Sequence, residues 1–512
     1  MRPAGARPTI GFVSLGCPKN LVDSEVMMGL LDRAGGELTA RAEDAEILVV
    51  NTCSFIDSAK QESVNTILEM VQHKVANGGK ARRLIVAGCL VERYRDEIRR
   101  NIPEVDAVVG TGELEAILEA AGLSAPVEAV RSDSPFNILV SRAPSAVHQH
   151  SHPTEVGAQL EVAKSSRPEG DLRERQGRFS REHWDGATAA LPEYLYSEFT
   201  PRILTTPKSS AYIKIAEGCD HPCGFCIIPQ LRGKFRSRRL ESIVAEAENL
   251  IAQGVRELTL IGQDTTCYGE DLGLKDGLAT LLDSLAVLPG LKWLRFLYAY
   301  PNKVTTRLLE TIAQHDNIAK YLDVPLQHAS ASVLKRMKRG GTADVFLRLI
   351  EKARATVPGI VLRTSFIVGF PGETDEDFKQ LCDFVAAAKI DWLGVFSYSD
   401  EEGAAAFELD AALKVPKRTI EARRRRLMKL QQKISARSKA TWIGREVDVL
   451  VEGESEETEL LWQGRTSLHA PEIDGKVLIN DFGTHEVLVP GTFYRAEITE
   501  SHDYDVVARI VE

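Results

Sequence analysis

Short apolar runs alternate with longer amphipathic stretches over residues 8–123, a pattern typical of parallel β/α units. Three of the runs are almost continuously apolar, as buried parallel strands are, and each ends just before a cysteine. They cover residues 10–16, 47–52 and 84–88, with helix-like stretches at 24–34 and 58–75. This pattern predicts an N-terminal open parallel α/β domain whose strands end at one common edge.

The same alternation returns over residues 207–437. Six strand-like runs separated by helix-like stretches predict a partial (βα)6 barrel, short of the eight units of a complete one. The runs lie at 212–216, 257–261, 293–298, 321–326, 361–368 and 393–398. A basic helix at the end of this region, residues 423–437, is predicted to be a solvated connection.

Between these two regions, residues 142–206 are rich in Pro, Ser and charged residues and show no apolar period. The composition predicts a flexible linker or insert with little ability to bury a core. Its alternating His148, His150 and His152 could bind a metal weakly, but a solvated polar tract is the interpretation we favour.

From residue 440 to 510 the hydrophobic period shortens to about two, which predicts a small all-β barrel at the end of an otherwise α/β chain. The predicted strands lie at 446–451, 476–479, 486–489, 493–498 and 505–510. From residue 442 onward there are 5 Lys and Arg residues against 16 Asp and Glu residues, a net charge of −11. The whole chain carries −10, so this module is the acidic part of the protein.

Composition limits the possible environments. No apolar run approaches the roughly 18 residues that span a membrane, and the first residues lack the apolar core of a signal peptide. Eight cysteines in 512 residues are too few for a disulfide scaffold. We therefore expect a cytoplasmic protein, not bound to membranes, whose cysteines bind metal or act in redox chemistry.

Three cysteines, Cys219, Cys223 and Cys226, stand at a spacing of three and then two intervening residues without a fourth. Such a triplet can hold three irons of a 4Fe–4S cluster and leave the fourth iron open to a small molecule. Structural zinc is the alternative, but it needs a fourth ligand, and His221 inside the triplet is sterically awkward for that role. The spacing favours the cluster.

A second set of cysteines, Cys17, Cys53 and Cys89, follows the three N-terminal strands at equal intervals of 36 residues. Because parallel strands end at the same edge, we expect these thiols to be neighbours and to form a second metal site. The alternative is that they are small buried core residues. Cys267 and Cys382 lie outside both sets and are interpreted as free structural thiols, although Cys267 falls on the active face.

The triplet Cys219, Cys223 and Cys226, with aromatic Phe225 before its last thiol, resembles the signature of the radical S-adenosylmethionine superfamily. Apart from the 142–206 insert, the whole chain resembles the methylthiotransferases, which join a three-cysteine N-terminal domain, a radical core and a C-terminal TRAM barrel. The matching segments are SLGCPKN (14–20), DSE (23–25), NTC (51–53), AGC (87–89), GQD (262–264) and FIVGFPGE (366–373). On this basis the domains are expected at 8–123, 207–437 and 440–510.

The resemblance implies two 4Fe–4S clusters, one on each cysteine set, and S-adenosylmethionine as cofactor. The cluster on Cys17, Cys53 and Cys89 would carry the sulfur that is transferred. One S-adenosylmethionine would methylate that sulfur, and a second would yield the radical that removes hydrogen from an unactivated carbon. A flavodoxin-type electron donor and a monomeric enzyme are also expected.

The resemblance further suggests residues that contact the cofactor, for each of which barrel packing or a tight turn is the alternative. One group would meet the methionine part and another the adenine and ribose. Besides Phe225, they are Gly262, Gln263 and Asp264 for the methionine part, and Ser365, Ile367 and Gly369 for the nucleoside.

Two branches of this family differ in substrate. One modifies position 2 of an adenosine in tRNA, and the other modifies the β-carbon of an aspartate in a small-subunit ribosomal protein of the uS12 type. The segments GCPKNLVDSE (16–25), GCDHPC (218–223) and VPLQHA (324–329) resemble the protein branch.

Charge points the same way. A module that grips tRNA should be basic, whereas an acidic one suits a basic ribosomal protein. We therefore predict the ribosomal protein as substrate and tRNA as the alternative, because the basic helix and RGKFRSR (232–238) leave an RNA contact conceivable. A non-catalytic iron–sulfur carrier or RNA-binding protein is a distant third reading, since a carrier would complete both clusters with fourth cysteines.

Overall fold

The computed structural model describes residues 7–124, 191–455 and 458–511. These residues form an N-terminal parallel α/β domain, a central domain of parallel β/α units and a C-terminal closed β-barrel, which confirms the predicted fold class. Most of the predicted linker lies outside the described residues, and so do His148, His150 and His152.

Five strands build the N-terminal sheet: β1 (Thr9–Ser14), β2 (Glu37–Thr39), β3 (Ile47–Thr52), β4 (Arg83–Gly88) and β5 (Ala107–Val109). Every neighbouring pair is parallel, in the order β2-β1-β3-β4-β5. The helices are α1 (Pro18–Arg33), α2 (Asp57–Val71), α3 (Cys89–Asn101) and α4 (Ile117–Ala121).

The central strand β3 is buried along its whole length, which explains its uninterrupted apolar sequence. Val49 belongs to the same hydrophobic cluster as Val26 of α1, whereas Val50 belongs to the cluster of Ile67 in α2. Successive side chains of a strand point to opposite faces, so helices cover the sheet on both sides.

Six strands form the central domain: β6 (Ser210–Lys214), β9 (Glu257–Ile261), β10 (Trp293–Phe296), β11 (Tyr321–Asp323), β12 (Val361–Val368) and β13 (Trp392–Ser397). They lie in two parallel three-stranded sheets, β10-β9-β6 and β11-β12-β13, and a single bridge between Leu294 and Ile318 connects β10 toward β11. All six predicted strands are present. A short hairpin, β7 (Ala216–Glu217) with β8 (Arg236–Ser237), brackets the loop that carries Cys219, Cys223 and Cys226.

Seven helices accompany these strands within the described part of the central domain, and an eighth leads to the barrel. They are α5 (Ile228–Arg232), α6 (Leu240–Ala252), α7 (Gly277–Ala286), α8 (Thr306–Gln314), α9 (Ala331–Arg336), α10 (Ala343–Thr356), α11 (Asp375–Ala388) and α12 (Lys417–Ala440).

Helix α12, predicted as a solvated connection, is amphipathic instead. Arg423 is 6% exposed and donates hydrogen bonds to Glu373, while Gln431 and Lys439 are fully buried. The prediction rested on the run of arginines, and three of its four members are indeed exposed. Apolar residues are buried on the same face, but the polar and charged residues among them hide the period.

The C-terminal barrel is closed and consists of β14 (Glu446–Ser455), β15 (Thr458–Arg465), β16 (Val477–Asp481), β17 (Phe493–Ser501) and β18 (Val506–Ile510). Its order is β14-β15-β16-β18-β17. Four of the five predicted strands are present, but the one predicted at 486–489 is wrong. Val487 and Val489 there are exposed and the segment is irregular.

The true second strand of the barrel, β15, was not predicted. Leu460 on this strand is 85% exposed, and Gly464 interrupts its alternation, so the sequence shows no clear two-residue period. Pairing with β14 and β16 on its two sides, rather than its own pattern, holds this strand in place.

Residues 191–206, the described end of the predicted linker, contain no helix or strand but pack against both neighbouring domains. Arg202 is 8% exposed, and its guanidinium donates to Glu25 of α1 at 2.6 Å and to Glu246 of α6 at 2.8 Å. Tyr196 is 3% exposed and contacts the same Glu246. The expectation of a segment that buries little does not describe this stretch, because a charged residue fixes it.

Among the described residues, none of the helices is both long enough and apolar enough to cross a membrane.

Candidate functional site

The N-terminal cysteines stand at the carboxyl ends of three adjacent strands. Cys17 follows β1, Cys53 follows β3 directly and Cys89 begins α3 after β4. The parallel register aligns these ends, since Ser14 is opposite Asn51 and Thr52 is opposite Gly88. The predicted convergence of the three strand ends is therefore what the sheet produces.

Gly16 is needed for the close approach of the first two cysteines. Its φ is +93°, in the left-handed region that favours glycine. A Cβ atom at this position would lie 2.8 Å from the Cβ and 3.1 Å from the Sγ of Cys53. The loop that carries Cys17 thus passes directly over Cys53.

Burial and mutual proximity shape the chemistry of these thiols. Burial, together with the neighbouring Cys89 and Cys17, raises the pKa of Cys53 to about 12. Burial also raises the pKa of Cys89 to about 11, although the guanidinium of Arg232 acts in the opposite direction. Thiols in this setting become good metal ligands once a cationic centre offsets the cost of ionisation.

Polar side chains from the same motifs hold the strand ends together. The Asn20 amide donates to the carbonyls of Leu15 at 2.7 Å and Thr52 at 3.1 Å. The Asn51 amide donates to the Asn20 carbonyl at 2.9 Å and to the Ser24 hydroxyl at 2.8 Å. These bonds explain why asparagine and serine accompany the cysteines in SLGCPKN, DSE and NTC.

Cys219, Cys223 and Cys226, which we call the second triplet, lie on a tight loop between β7 and α5. Gly218 begins it with a φ of +79°, and a Cβ there would lie 2.1 Å from the Lys234 carbonyl oxygen. Backbone bonds shape the loop: Cys219 N donates to Gly233 O at 3.2 Å, and Cys226 N donates to Cys223 O at 3.1 Å. Burial raises the pKa of Cys219 to about 11 and that of Cys226 to about 12.

The spacing of possible ligand atoms shows where a single metal ion could bind. A tetrahedral zinc with Zn–S bonds near 2.3 Å holds its sulfurs about 3.8 Å apart. Over residues 7–124, 191–455 and 458–511, the one group of three Cys, His, Asp or Glu ligand atoms within 4.8 Å of one another is His221, Asp264 and Cys267. Neither cysteine triplet forms such a group within the described residues.

Asp264 is the centre of a hydrogen-bonded group beside the second triplet. Its Oδ2 lies 2.6 Å from His221 Nε2 and accepts from the Cys267 thiol at 3.1 Å, and its Oδ1 accepts from Thr266 N at 2.8 Å. Burial opposes ionisation, but these bonds lower the pKa of Asp264. The His221 ring stacks on Tyr300 with centroids 3.9 Å apart. The Cys267 thiol, predicted to be a free structural thiol, is thus a member of this hydrogen-bonded group.

Gly262 and Gln263 lie where the two domains meet. The Gly262 carbonyl accepts from Lys19 Nζ at 3.3 Å, and Lys19 itself lies 3.4 Å from the centroid of the Tyr298 ring. The Gln263 amide donates to Glu217 Oε1 at 2.6 Å. The GQD segment therefore faces the N-terminal domain as well as the cysteine loop.

The remaining predicted contacts lie on or after β12. Phe225 and Ile367 pack together against the same apolar cluster, which contains Met337 and Phe370. Ser365 O accepts from Gln327 N at 2.9 Å, so the backbone around Ser365 is tied to a neighbouring loop. The Gly369 amide donates to the Glu373 carboxylate, which supports the tight-turn reading of that glycine.

Sequence reasoning missed a buried ionic network that joins the domains at this site. Two of its residues stand inside quoted segments, DSE (23–25) and RGKFRSR (232–238), and the other two stand directly before the cysteine loop. The members within the described chain are Asp23, Lys214, Glu217 and Arg232, each 3% exposed or less.

Comparison with known proteins agrees with this architecture. The chain matches the Uncharacterized protein family UPF0004 over residues 9–110, the Radical SAM superfamily over 213–385 and the TRAM domain over 443–511. A protein of Koribacter versatilis named ribosomal protein uS12 methylthiotransferase RimO is 67% identical over 98% of this chain and 96% of that protein. A protein of the same name from Solibacter usitatus is 55% identical over 98% of this chain and 94% of that protein.

Among solved structures, the radical S-adenosylmethionine methyltransferase TsrM of Kitasatospora setae is similar with a TM-score of 0.47 at 16% identity, over 77% of this chain and 75% of that chain. The full-length relatives carry the assignment, and they confirm the resemblance read from the motifs. The chain therefore belongs to the radical S-adenosylmethionine methylthiotransferases, in the group of proteins named RimO, and is an iron–sulfur enzyme that uses S-adenosylmethionine.

Proposed function

We propose that this enzyme methylthiolates the β-carbon of an aspartate in a small-subunit ribosomal protein of the uS12 type. The observation that carries the proposal is the contact of Cys89, from the N-terminal triplet, with Arg232, six residues after the last cysteine of the second triplet. Two open three-thiol sites on one domain interface suit a reaction that needs both a radical and a sulfur donor. The uS12 name of the relatives supports the substrate.

In this proposal each triplet holds a 4Fe–4S cluster. The cluster on Cys219, Cys223 and Cys226 would supply the electron that cleaves S-adenosylmethionine, and the one on the N-terminal triplet would carry the sulfur. Two S-adenosylmethionine molecules are used, one for its methyl group and one for the radical.

The chain's own residues would bind and shield the cofactor. We assign the methionine part to the segment 262–264 and the nucleoside to Ser365, Ile367 and Gly369. Phe225 and Ile367 belong to one apolar cluster, which suits a wall that keeps water away from a reactive carbon radical. Lys19 would help to close the cavity, because it reaches from the N-terminal domain to the Gly262 carbonyl.

The acidic barrel supports a basic protein substrate. Eight carboxylates in the described part of the barrel are exposed, and phosphate groups of a tRNA would be repelled by them while a lysine- and arginine-rich protein would be attracted. The exposed carboxylates are those of Glu446, Asp448, Glu454, Glu472, Asp481, Glu486, Glu500 and Asp503.

Anaerobic reconstitution tests the two-cluster arrangement. The wild-type chain should bind about eight irons, and Cys226→Ala should retain about four and lose cleavage of S-adenosylmethionine. Cys267→Ala is the matched control, because that thiol lies beside the site but outside both triplets, and it should keep about eight irons. A wild-type chain that binds about four irons, or zinc, contradicts the proposal.

The substrate is tested by offering purified uS12-type protein and tRNA to the reconstituted enzyme in parallel. Mass spectrometry should find a methylthio group on the aspartate and none on tRNA. The exposed basic residues of α12, Arg424, Arg425 and Arg426, keep tRNA as the second candidate. Modification of tRNA alone would reverse the assignment.

We further propose that a flavodoxin-type protein is the electron donor and that the enzyme acts as a monomer in the cytoplasm. Replacement of a chemical reductant by reduced flavodoxin should sustain turnover, and light scattering should give a mass near 56.4 kDa. Turnover that requires a different donor class, or a dimeric mass, contradicts these parts of the proposal without affecting the substrate.

A further inference from the structure

Two arginines donate hydrogen bonds to the cysteine triplets, one to each. Arg232 Nη2 lies 3.5 Å from Cys89 Sγ of the N-terminal triplet. Arg339 Nη1 lies 3.3 Å from Cys223 Sγ of the second triplet. Both guanidinium groups come from the central domain, so Arg232 reaches across the domain interface whereas Arg339 acts within its own domain.

Arg232 is held rigidly by the buried ionic network. It is 2% exposed, and its Nη1 donates to Asp23 Oδ2 at 2.6 Å and to Glu217 Oε2 at 3.4 Å. Its Nη2 also donates to Asn20 Oδ1 at 2.9 Å. Lys214 Nζ donates to both carboxylates at 2.5 Å. Two cations and two carboxylates therefore share one buried site, and the guanidinium that touches Cys89 is partly neutralised.

Arg339 has a different environment. Its Nη2 donates to the Pro325 carbonyl at 2.9 Å, and its guanidinium carbon lies 4.4 Å from the centroid of the Tyr300 ring. A carbonyl and an aromatic face orient the group without cancelling its charge. Each triplet thus has one guanidinium N–H donor. The positive charge of Arg232 is partly offset by neighbouring carboxylates, so its electrostatic effect on the sulfur is weaker than that of Arg339.

Hydrogen bonds to cluster sulfurs and nearby positive charge both stabilise the more negative, reduced form of an iron–sulfur cluster. Resting on the proposed function, we propose that Arg232 and Arg339 are positioning residues that each hold one ligand thiol and raise the reduction potential of the cluster bound there. The carboxylate of Asp23 weakens the effect of Arg232 on the reduction potential of the cluster at Cys89. The reduction potentials of the two clusters are therefore set by different residues.

The test measures each cluster by itself. A background with alanine at Cys219, Cys223 and Cys226 keeps only the N-terminal cluster, and its potential is followed by redox titration with electron paramagnetic resonance. Arg232→Gln in this background should shift the midpoint potential to a more negative value. Asp23→Asn should shift it to a more positive value, because the arginine remains while its countercharge is removed.

Opposite signs distinguish the proposal from simple damage to the fold, which would move both variants in the same direction or release iron. If Arg232→Gln fails to retain the cluster, Asp23→Asn decides the question, since an unchanged or more negative potential overturns the proposal. If the background protein binds no cluster at all, the proposed function fails first, and measured iron separates that result from an unshifted potential.

The matching experiment tests Arg339 on the cluster of the second triplet. In a background with alanine at Cys17, Cys53 and Cys89, Arg339→Gln should shift the potential of the remaining cluster to a more negative value. Arg232→Gln should leave that potential in place, because its nearest thiol has been removed. A shift of the second cluster by Arg232→Gln as large as that by Arg339→Gln would contradict a separate donor for each triplet.

Discussion

At the scale of single residues, the site depends on what stands next to each thiol more than on the thiols alone. The spacing of Cys219, Cys223 and Cys226 predicts a cluster with an open position. What could not be read from the sequence is which polar groups touch the sulfurs, since Arg232 and Cys89 are 143 positions apart. Such contacts depend on how two domains dock, and a local pattern does not contain that information.

Gly16→Ala should selectively damage the N-terminal site. The added Cβ would meet Cys53 at 2.8 Å and would also force alanine into a left-handed conformation, which costs roughly 1–2 kcal/mol. We expect bound iron to fall from about eight to about four per chain while the second triplet still supports cleavage of S-adenosylmethionine. Iron and sulfide analysis of the reconstituted protein measures this.

Gly35→Ala is the matched control for that substitution. Gly35 has a φ of +90°, almost the same as Gly16, but a Cβ there would meet nothing within 4 Å. It should therefore suffer the backbone strain alone and keep about eight irons. Equal iron loss in both variants would assign the effect to strain in the domain and not to the approach of Cys17 and Cys53.

At the scale of helices and strands, the period of apolar residues predicts those elements that pack mainly through apolar side chains. Apolar runs predicted three strands of the N-terminal sheet and all six parallel strands of the central domain, whereas the short edge strands β2 and β5 were not predicted. Helix α12 and strand β15 were misjudged because neither shows a clear apolar period: polar and charged residues share the buried face of α12, and β15 is held by pairing with β14 and β16. Lys439 shows this most clearly, since it is fully buried and its Nζ lies 3.4 Å from the centroid of Trp392.

Lys439→Met should remove a pH dependence of stability. Burial lowers the pKa of Lys439 to about 8, below its ordinary value of 10.5. Between these values the unfolded chain binds more protons than the folded one, so the free energy of unfolding rises with pH. The rise should be about 3 kcal/mol in the wild type relative to the methionine variant from pH 8 to 10.5.

Denaturant unfolding at several pH values measures the difference. Lys433→Met, at an exposed position of the same helix, controls for the substitution itself. Parallel stability profiles of the wild type and Lys439→Met would show that the buried lysine does not change its protonation on folding in this range.

At the scale of the whole molecule, the order of domains was predictable from composition and motif, but their joints were not. The barrel packs on the central domain through Arg465 of β15, which donates to Glu257 of β9 and Glu452 of β14. Arg295 of β10 donates to the same Glu257 at 3.0 Å. This joint thus lies on a strand that the sequence did not reveal, and charged residues form it.

Glu257→Gln should loosen the barrel from the core. Glu257 is fully buried, and burial opposes its ionisation, but Arg465 and Arg295 lower its pKa to about 2. Removing one partner of a buried ion pair leaves cations uncompensated and typically costs about 3–5 kcal/mol. We expect that loss in denaturant unfolding, together with faster proteolytic separation of the barrel from the central domain.

An exposed ion pair within the barrel provides the control for Glu257→Gln. Glu497 lies 2.7 Å from Arg509 on the surface, where an ion pair contributes about 0–1 kcal/mol, so Glu497→Gln should be nearly neutral.

The stabilisation from Glu257 should be complete above about pH 4.5 and lost as the pH falls toward 2, because its folded pKa is depressed. Equal destabilisation by the two variants, or an unchanged acid profile in Glu257→Gln, would mean that apolar contacts and not this charge cluster hold the barrel in place.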